Sequence, residues 1–300
     1  MGSHSANLLD PAAIAKGEAL GMIARGIVEG YRVGEHRSPY HGFAVEFAQH
    51  REYTTGDDLR HLDWKVLGRT DRYYIKQYEQ DTNFVAHLVV DGSESMNYGS
   101  GKLTKLDYAK VLAACLAYIV LGQSDAVSMS IFDTEVRDRF ERTDNAGKIH
   151  EIMHRLAAFQ AGEGTQTARV LRDLAATLRA RSIVILISDL FDDEESLQKS
   201  IERLRFQGTE VIVFHVLDPY EIEFPFTGSV KFVGLEGGGA RLTMPASIRK
   251  SYLQSFGDFC KRMRVLCDRC SCHYVLCNTG VRLHETLSEY LAFRQNHLSR

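Results

Sequence analysis

The chain has 300 residues, 44% of them hydrophobic and 25% charged, with a formal net charge of −3. That length and apolar content suit one large domain, or one domain with an appendage, and a charge so near balance argues against a nucleic-acid binder. The longest apolar run, Val111 to Leu121, is eleven residues, too short to span a bilayer. No charged region followed by an apolar one opens the chain, and six cysteines in this length do not make a disulfide scaffold. The expectation is a cytoplasmic protein with reduced thiols and no membrane span.

In chain order, residues 11–29 read as a helix. Asp10 and Pro11 start it, Gly30 stops it, and Leu20, Ile23 and Ile27 recur on one face. Residues 31–70 are polar and weakly periodic, with acids and bases in balance. Residues 72–79 read as a strand expected to form a hairpin with the next one. That next strand, Val85 to Val90, is an apolar run ending in Asp91-Gly92-Ser93-Glu94-Ser95-Met96. Helices are then expected over 103–122, 146–159, 167–180, 193–206, 248–268 and 283–294, and strands over 126–132, 135–140, 182–188, 210–217 and 273–277. Between residues 218 and 245 a hairpin is expected around Gly237-Gly238-Gly239. Alternating strands and helices imply an α/β fold with a doubly wound, mostly parallel sheet flanked by helices. Residues 1–82 form an N-terminal extension to that main domain, 83–300, which carries the hairpin insertion near 220–245.

The chemistry gathers at strand ends. In an open α/β sheet, ligands sit beyond the carboxyl ends of the strands where strand order reverses. Asp91, Ser93 and Ser95 stand at such an end, as one carboxylate and two hydroxyls at alternate positions. The all-apolar run Ile183 to Ile187 leads to Ser188 and Asp189, a second carboxylate on the same edge. Thr165 follows Gly164 on a loop before a helix. Hard oxygen donors of this kind suit Mg²⁺ or Mn²⁺ rather than a thiol-seeking metal. Each piece taken alone also reads as a helix cap, although Asp192 and Asp193 are available to cap in place of Asp189.

Other motifs are weaker. His150-Glu151-Ile152-Met153-His154 matches the H-E-x-x-H zinc pattern, but Ile152, Met153 and Leu156 define a buried face that the histidines flank, and no third ligand is nearby. Cys267, Cys270, Cys272 and Cys277 lack a second C-x-x-C pair and suit apolar packing. Tyr98-Gly99-Ser100-Gly101-Lys102 fails the phosphate-loop pattern, since Leu103 stands where Ser or Thr is required.

With these residues in hand, the chain resembles a von Willebrand factor A domain. Asp91-x-Ser93-x-Ser95, Thr165 and Asp189 match its metal-ion-dependent adhesion site. Upstream, Gly34 to Pro39, Glu46-Phe47, Arg51-Glu52-Tyr53, Gly56 to Trp64 and Arg69 resemble the signature of a bacterial family called domain of unknown function 58, in its form without membrane helices. The resemblance implies that the two serines and the threonine contact a Mg²⁺ (or Mn²⁺ or Ca²⁺) ion while the aspartates act largely through water. It also implies a non-enzymatic, metal-dependent protein-interaction module that grips a partner carboxylate, with a MoxR-type AAA+ ATPase as partner in a chaperone-like or assembly system. The alternative is a Mg²⁺- or Mn²⁺-dependent hydrolase of phosphoesterase type. One departure from the pattern is Leu190, where many such domains carry glycine.

Overall fold

The structure, a computed structural model, describes residues 18–28, 46–52, 66, 68, 73–79, 84–162, 164–178, 182–235 and 239–298. These fall into two compact units. One holds 18–28 and 84–290; the other holds the described residues from 46 to 79 and the end of the last helix from Leu291.

In the smaller unit, β1 (Glu46–Glu52) and β2 (Tyr74–Glu79) pair antiparallel, with a register shift between Phe47 and Gln49. This corrects the expected pairing of residues 72–79 with the strand that ends at Asp91. That strand, β3 (Val85–Asp91), has parallel neighbours on both sides, so no edge of it is open to a hairpin partner. Glu46, Phe47, Arg51 and Glu52 of the upstream signature lie on β1. Gly34 to Pro39, Gly56 to Trp64 and Arg69 lie outside the described residues.

The larger unit opens with a helix, α1, over residues 18–28. Its buried stripe is Leu20, Ala24 and Val28, at a spacing of four, while Ile23 is 51% exposed. The expected face of Leu20, Ile23 and Ile27 is therefore rotated. Ala24, too small to stand out in the sequence, lets the backbone approach its neighbour closely, and the Cys115 thiol reaches the Ala24 carbonyl at 3.8 Å.

The chain then winds the sheet. Helix α2 (Lys105–Gly122) follows β3, and β4 (Ala126–Phe132) and β5 (Val136–Thr143) form an antiparallel pair. Next come α3 (Ile149–Ala158), α4 (Thr167–Ala175), β6 (Ser182–Ser188), α5 (Glu194–Phe206), β7 (Glu210–Leu217) and a short α6 (Pro219–Glu223). The hairpin β8 (Val230–Val233) and β9 (Ala240–Thr243) precedes α7 (Pro245–Arg269), β10 (His273–Asn278) and α8 (Leu283–Leu298). The six-stranded sheet runs β10-β7-β6-β3-β4-β5, parallel except for the edge strand β5. Strand order reverses at β3, which has β4 on one side and β6 on the other. The carboxyl end of β3 is thus the switch point where a crevice is expected.

Burial follows sequence pattern. Every residue of β6 is buried, as expected of a central strand covered on both faces. Helix α2 is buried nearly all round, from Leu106 to Leu121. It starts cleanly because Thr104 and Asp107 form a reciprocal capping box, with the Asp107 N–H donating to Thr104 Oγ1 at 3.0 Å.

At the opposite, amino edge, Ser124 in a left-handed conformation turns the chain from α2 into β4. Asp125 next to it is 1% exposed, and neither carboxylate oxygen has a hydrogen-bond partner among the described residues. Burial raises it from 3.8 to about 7. With the folded value above the unfolded one, the native state holds the extra proton between pH 4 and pH 7, so stability falls as pH rises through that window. Asp125→Asn should match wild type near pH 4 and exceed it by about 1–3 kcal/mol above pH 7, the cost of a buried unpaired polar group. Urea unfolding at the two pH values checks this, and a constant difference between the proteins would contradict it.

Candidate functional site

At the carboxyl edge, the end of β3 is bound into place by its own turn. The Ser93 N–H donates to Asp91 Oδ1 at 3.0 Å, and Ser93 Oγ lies 3.1 Å from Ser95 Oγ. Ser93 precedes a single helical turn over Glu94–Asn97 but makes no side-chain cap to it. Its hydroxyl is therefore not consumed as a helix cap.

Two glycines allow the second loop to close on the first. A Cβ on Gly92 would lie 2.3 Å from the Phe159 ring, and one on Gly162 would lie 2.0 Å from an Asp133 carboxylate oxygen. With no side chain at either position, the Gly162 N–H donates to the Gly92 carbonyl at 2.8 Å and the Gln166 N–H to the Asp133 carbonyl at 3.0 Å. These main-chain bonds carry Thr165 to the site. Thr165 Oγ1 lies 3.5 Å from Asp91 Oδ2 and 3.2 Å from Thr167 Oγ1.

The end of β6 completes the cluster. Ser188 Oγ donates to Asp91 Oδ2 at 2.6 Å and accepts the Leu190 N–H at 2.9 Å. Asp189 is fully buried, and its Oδ2 pairs with the Lys105 ammonium at 2.9 Å. The same ammonium meets Glu221 Oε1 at 2.7 Å and lies over the Phe191 ring at 5.3 Å. Capping is left to the neighbours, since Asp192 accepts the Ala168 N–H and Asp193 the Ser196 N–H, each at 2.9 Å. His215 holds the Asp189 carbonyl at 2.9 Å and the Tyr274 hydroxyl at 2.7 Å. Burial lowers its pKa to about 4. The ring is therefore neutral, with Nε2–H donating to the carbonyl and Nδ1 accepting from Tyr274.

The electrostatics follow from burial. Desolvation pushes Asp91 up to about 7, and the nearby Asp189 carboxylate adds to the rise against the hydrogen bonds from Ser188 and Ser93. Desolvation works to lower Lys105, but Asp189 and then Glu221 outweigh it and raise the ammonium above its ordinary value. Desolvation raises Glu221, with Lys105 opposing. Of the three carboxylates here, Asp189 and Glu221 share one ammonium, and Asp91 has no cation partner among the described residues.

Asp91, Ser93, Ser95 and Thr165 converge, and Ser95 and Thr165 are partly open to solvent. This donor set fits a hard divalent cation, because a buried carboxylate without a cation sits among neutral hydroxyl oxygens. Asp189 fits less directly. Lys105 occupies Oδ2 and the Phe191 N–H reaches Oδ1 at 3.3 Å, so it would act on an ion only through an intermediary. Lys105, Ser188 and Glu221 went unread in the sequence. The only signal for Lys105 was a lysine at the first turn of a helix whose second half is apolar.

The zinc patterns do not converge. His154 is buried, His150 is exposed, and Glu151 is engaged by Lys148 and Arg155. Among the described residues, no group of three or more His, Cys, Asp or Glu side chains is placed to hold a metal.

Leu190 resolves the departure from the glycine pattern. Its φ is +61°, in the left-handed region that favours glycine, yet its side chain is 1% exposed in the core. Burial holds a leucine where the backbone prefers glycine. Leu190→Ala should lose about 2–5 kcal/mol to the cavity. Leu190→Gly should lose about 1 kcal/mol less, because it also removes the left-handed penalty. Denaturant unfolding decides the order, and alanine ranking above glycine would refute it. Lys105→Met should cost about 3–5 kcal/mol, since it leaves buried carboxylates without their ammonium. A loss under about 1 kcal/mol by the same measurement would show that the pair is not structurally essential.

Over 235 residues the chain is 26% identical to the uncharacterised protein Rv1480 of Mycobacterium tuberculosis, covering 77% of this chain and 74% of that one. Among solved structures it is similar to an aerotolerance-related membrane protein of Bacteroides fragilis, at 16% identity and a TM-score of 0.46, covering 72% of this chain and 100% of that one. It is also similar to the SpRpn10 VWA domain, at 15% identity and a TM-score of 0.39, covering 68% and 94%. The expectation of a cytoplasmic protein does not stand, since the Bacteroides chain it is similar to is described as a membrane protein. No helix among the described residues is long and apolar enough to cross a membrane, which speaks of those residues and not of cellular location. The fold is α/β, with a mostly parallel six-stranded sheet flanked by helices. The sequence profile described as "Protein of unknown function DUF58" matches residues 49–258, and the chain belongs to that family.

Proposed function

We propose that this chain is a protein-interaction module that binds a partner's carboxylate through a divalent ion at the carboxyl edge of its sheet. The observation that carries this reading is Asp91, a fully buried carboxylate with no cation partner among the described residues, set beside the hydroxyls of Ser93, Ser95 and Thr165. A Mg²⁺, Mn²⁺ or Ca²⁺ ion would supply a positive charge with a position left open to an incoming carboxylate. Asp91 provides the fixed negative charge, and Ser188 and the Ser93 N–H hold it in place. Ser93, Ser95 and Thr165 provide neutral oxygens, which leave most of the ion's charge for the ligand. Lys105 neutralises Asp189, so the site does not saturate the ion with its own anions. The partner we propose, on the resemblance drawn from the sequence alone, is a MoxR-type AAA+ ATPase, with this chain as its adaptor in a chaperone-like or assembly system.

Calorimetric titration of EDTA-treated protein with MgCl₂ and MnCl₂ tests the ion. Wild type should bind one ion per chain. Ser93→Ala and Thr165→Ala should each weaken binding about tenfold, roughly 1.4 kcal/mol for a lost oxygen donor, with unchanged melting of the ion-free protein. Capture of a purified MoxR-type ATPase should occur in Mg²⁺ and fail in EDTA. Capture indifferent to EDTA and to Ser93→Ala would overturn the metal bridge. Phosphoester hydrolysis by wild type that vanishes in Asp91→Asn would make the site a hydrolase instead.

A further inference from the structure

The Lys105 ammonium faces two unlike acids. On one side stands Asp189 at 2.9 Å, its side chain sealed from solvent; on the other stands Glu221 at 2.7 Å, its side chain 16% exposed. The Phe191 ring covers a further side. Glu221 is itself fixed. Its other oxygen accepts the Asp218 N–H at 2.8 Å in the capping box that starts α6, and its carbonyl accepts the Tyr252 hydroxyl at 3.0 Å. One ammonium is thus divided between an acid inside the sheet edge and an acid at its rim.

That division leaves charge behind. Two carboxylates against one ammonium leave one negative charge. An ammonium shared with Glu221 screens Asp189 less than one held by Asp189 alone. Asp189 follows Ser188, whose hydroxyl holds Asp91 at 2.6 Å, and the charge of Asp189 is felt at Asp91. Between groups this close and this dry, a change in screening counts for far more than it would in water.

We propose that Glu221 sets the ion affinity of the Asp91 site from the rim of the sheet, by drawing the Lys105 ammonium outward from Asp189. The inference rests on the ion site proposed above and adds its regulation. Lys105 and Glu221 are positioning residues: an ammonium does not ligate a cation, and Glu221 acts only through that ammonium. A change at α6 that loosens the hold of Glu221 on Lys105 gives Asp189 the whole ammonium, and the ion is then held less firmly.

The test is calorimetric titration of the full chain, treated with EDTA and dialysed, with MnCl₂ at about pH 8, where Asp91 is ionised. Glu221→Gln removes the charge but leaves a residue that suits a capping box. Its ion-free melting should stay near wild type, and it should bind Mn²⁺ at least about threefold more weakly. Glu223→Gln removes an exposed charge from the same helix and should bind like wild type. Adding Lys105→Met to Glu221→Gln restores the wild-type net charge and leaves Asp189 unscreened. The double variant should therefore bind at least about threefold more tightly than wild type. A merely structural role for the pair would weaken binding in both, and a role through overall charge alone would return the double variant to wild-type affinity; either result overturns the proposal. So does an equal loss in Glu223→Gln and Glu221→Gln, a comparison that stands whether or not the double variant folds. Ion binding that is equal in wild type and Glu221→Gln overturns this inference alone, whereas no ion bound by wild type overturns the ion site together with it.

Discussion

The architecture depends on one buried cation. Lys105 sits at the first turn of α2 with its side chain out of water, held between Asp189 at the end of β6 and Glu221 on α6. Taking an ammonium out of water is costly unless good geometry repays it, and here two carboxylates do so. The arrangement ties the end of a central strand, the start of a buried helix and the first turn after β7 to a single point. Asp218 extends the same network: its carboxylate accepts the Ser100 hydroxyl at 2.6 Å and the Tyr220 N–H at 2.8 Å, and its own N–H donates to Glu221 at 2.8 Å. The loop after β3 and the turn after β7 are thereby joined across the edge of the sheet.

That network also sorts the acids. Asp189 has a cation partner and Asp91, among the described residues, does not, although both stand at the ends of buried parallel strands. A reading based on strand ends alone treats the two as equivalent. Their difference arises from a lysine more than eighty residues before Asp189 in sequence, and no local pattern encodes it.

Much of the sheet was legible because its strands are short apolar runs bounded by polar turns. Ser182–Ser188 and Glu210–Leu217 lie where such runs predict. The residues brought together at the edge, Asp91, Ser93, Ser95 and Thr165, were legible as strand-end and loop oxygens. Their oxygen chemistry suggested a hard divalent metal, and the individual ligand roles came from a family resemblance. What could not be read depends on pairing at a distance. The partner of β2 is set by which edges are free, and the face of α1 by a small alanine. Cellular location was misjudged for another reason: the lack of an apolar span describes one stretch of chain and is silent about the setting in which a family works.

The glycines at 92 and 162 have a consequence for ligand recognition. Because the two loops meet main chain to main chain, Ser93 and Thr165 are positioned by backbone hydrogen bonds rather than by the rotamers of long side chains. The donors are short, with few torsions to freeze, and their spacing is largely set before anything binds. A ligand arriving here therefore meets a preorganised surface and loses less conformational entropy on capture than at a site built from flexible arms. Such a site favours quick, reversible engagement, with discrimination resting on the shape and charge of the incoming group.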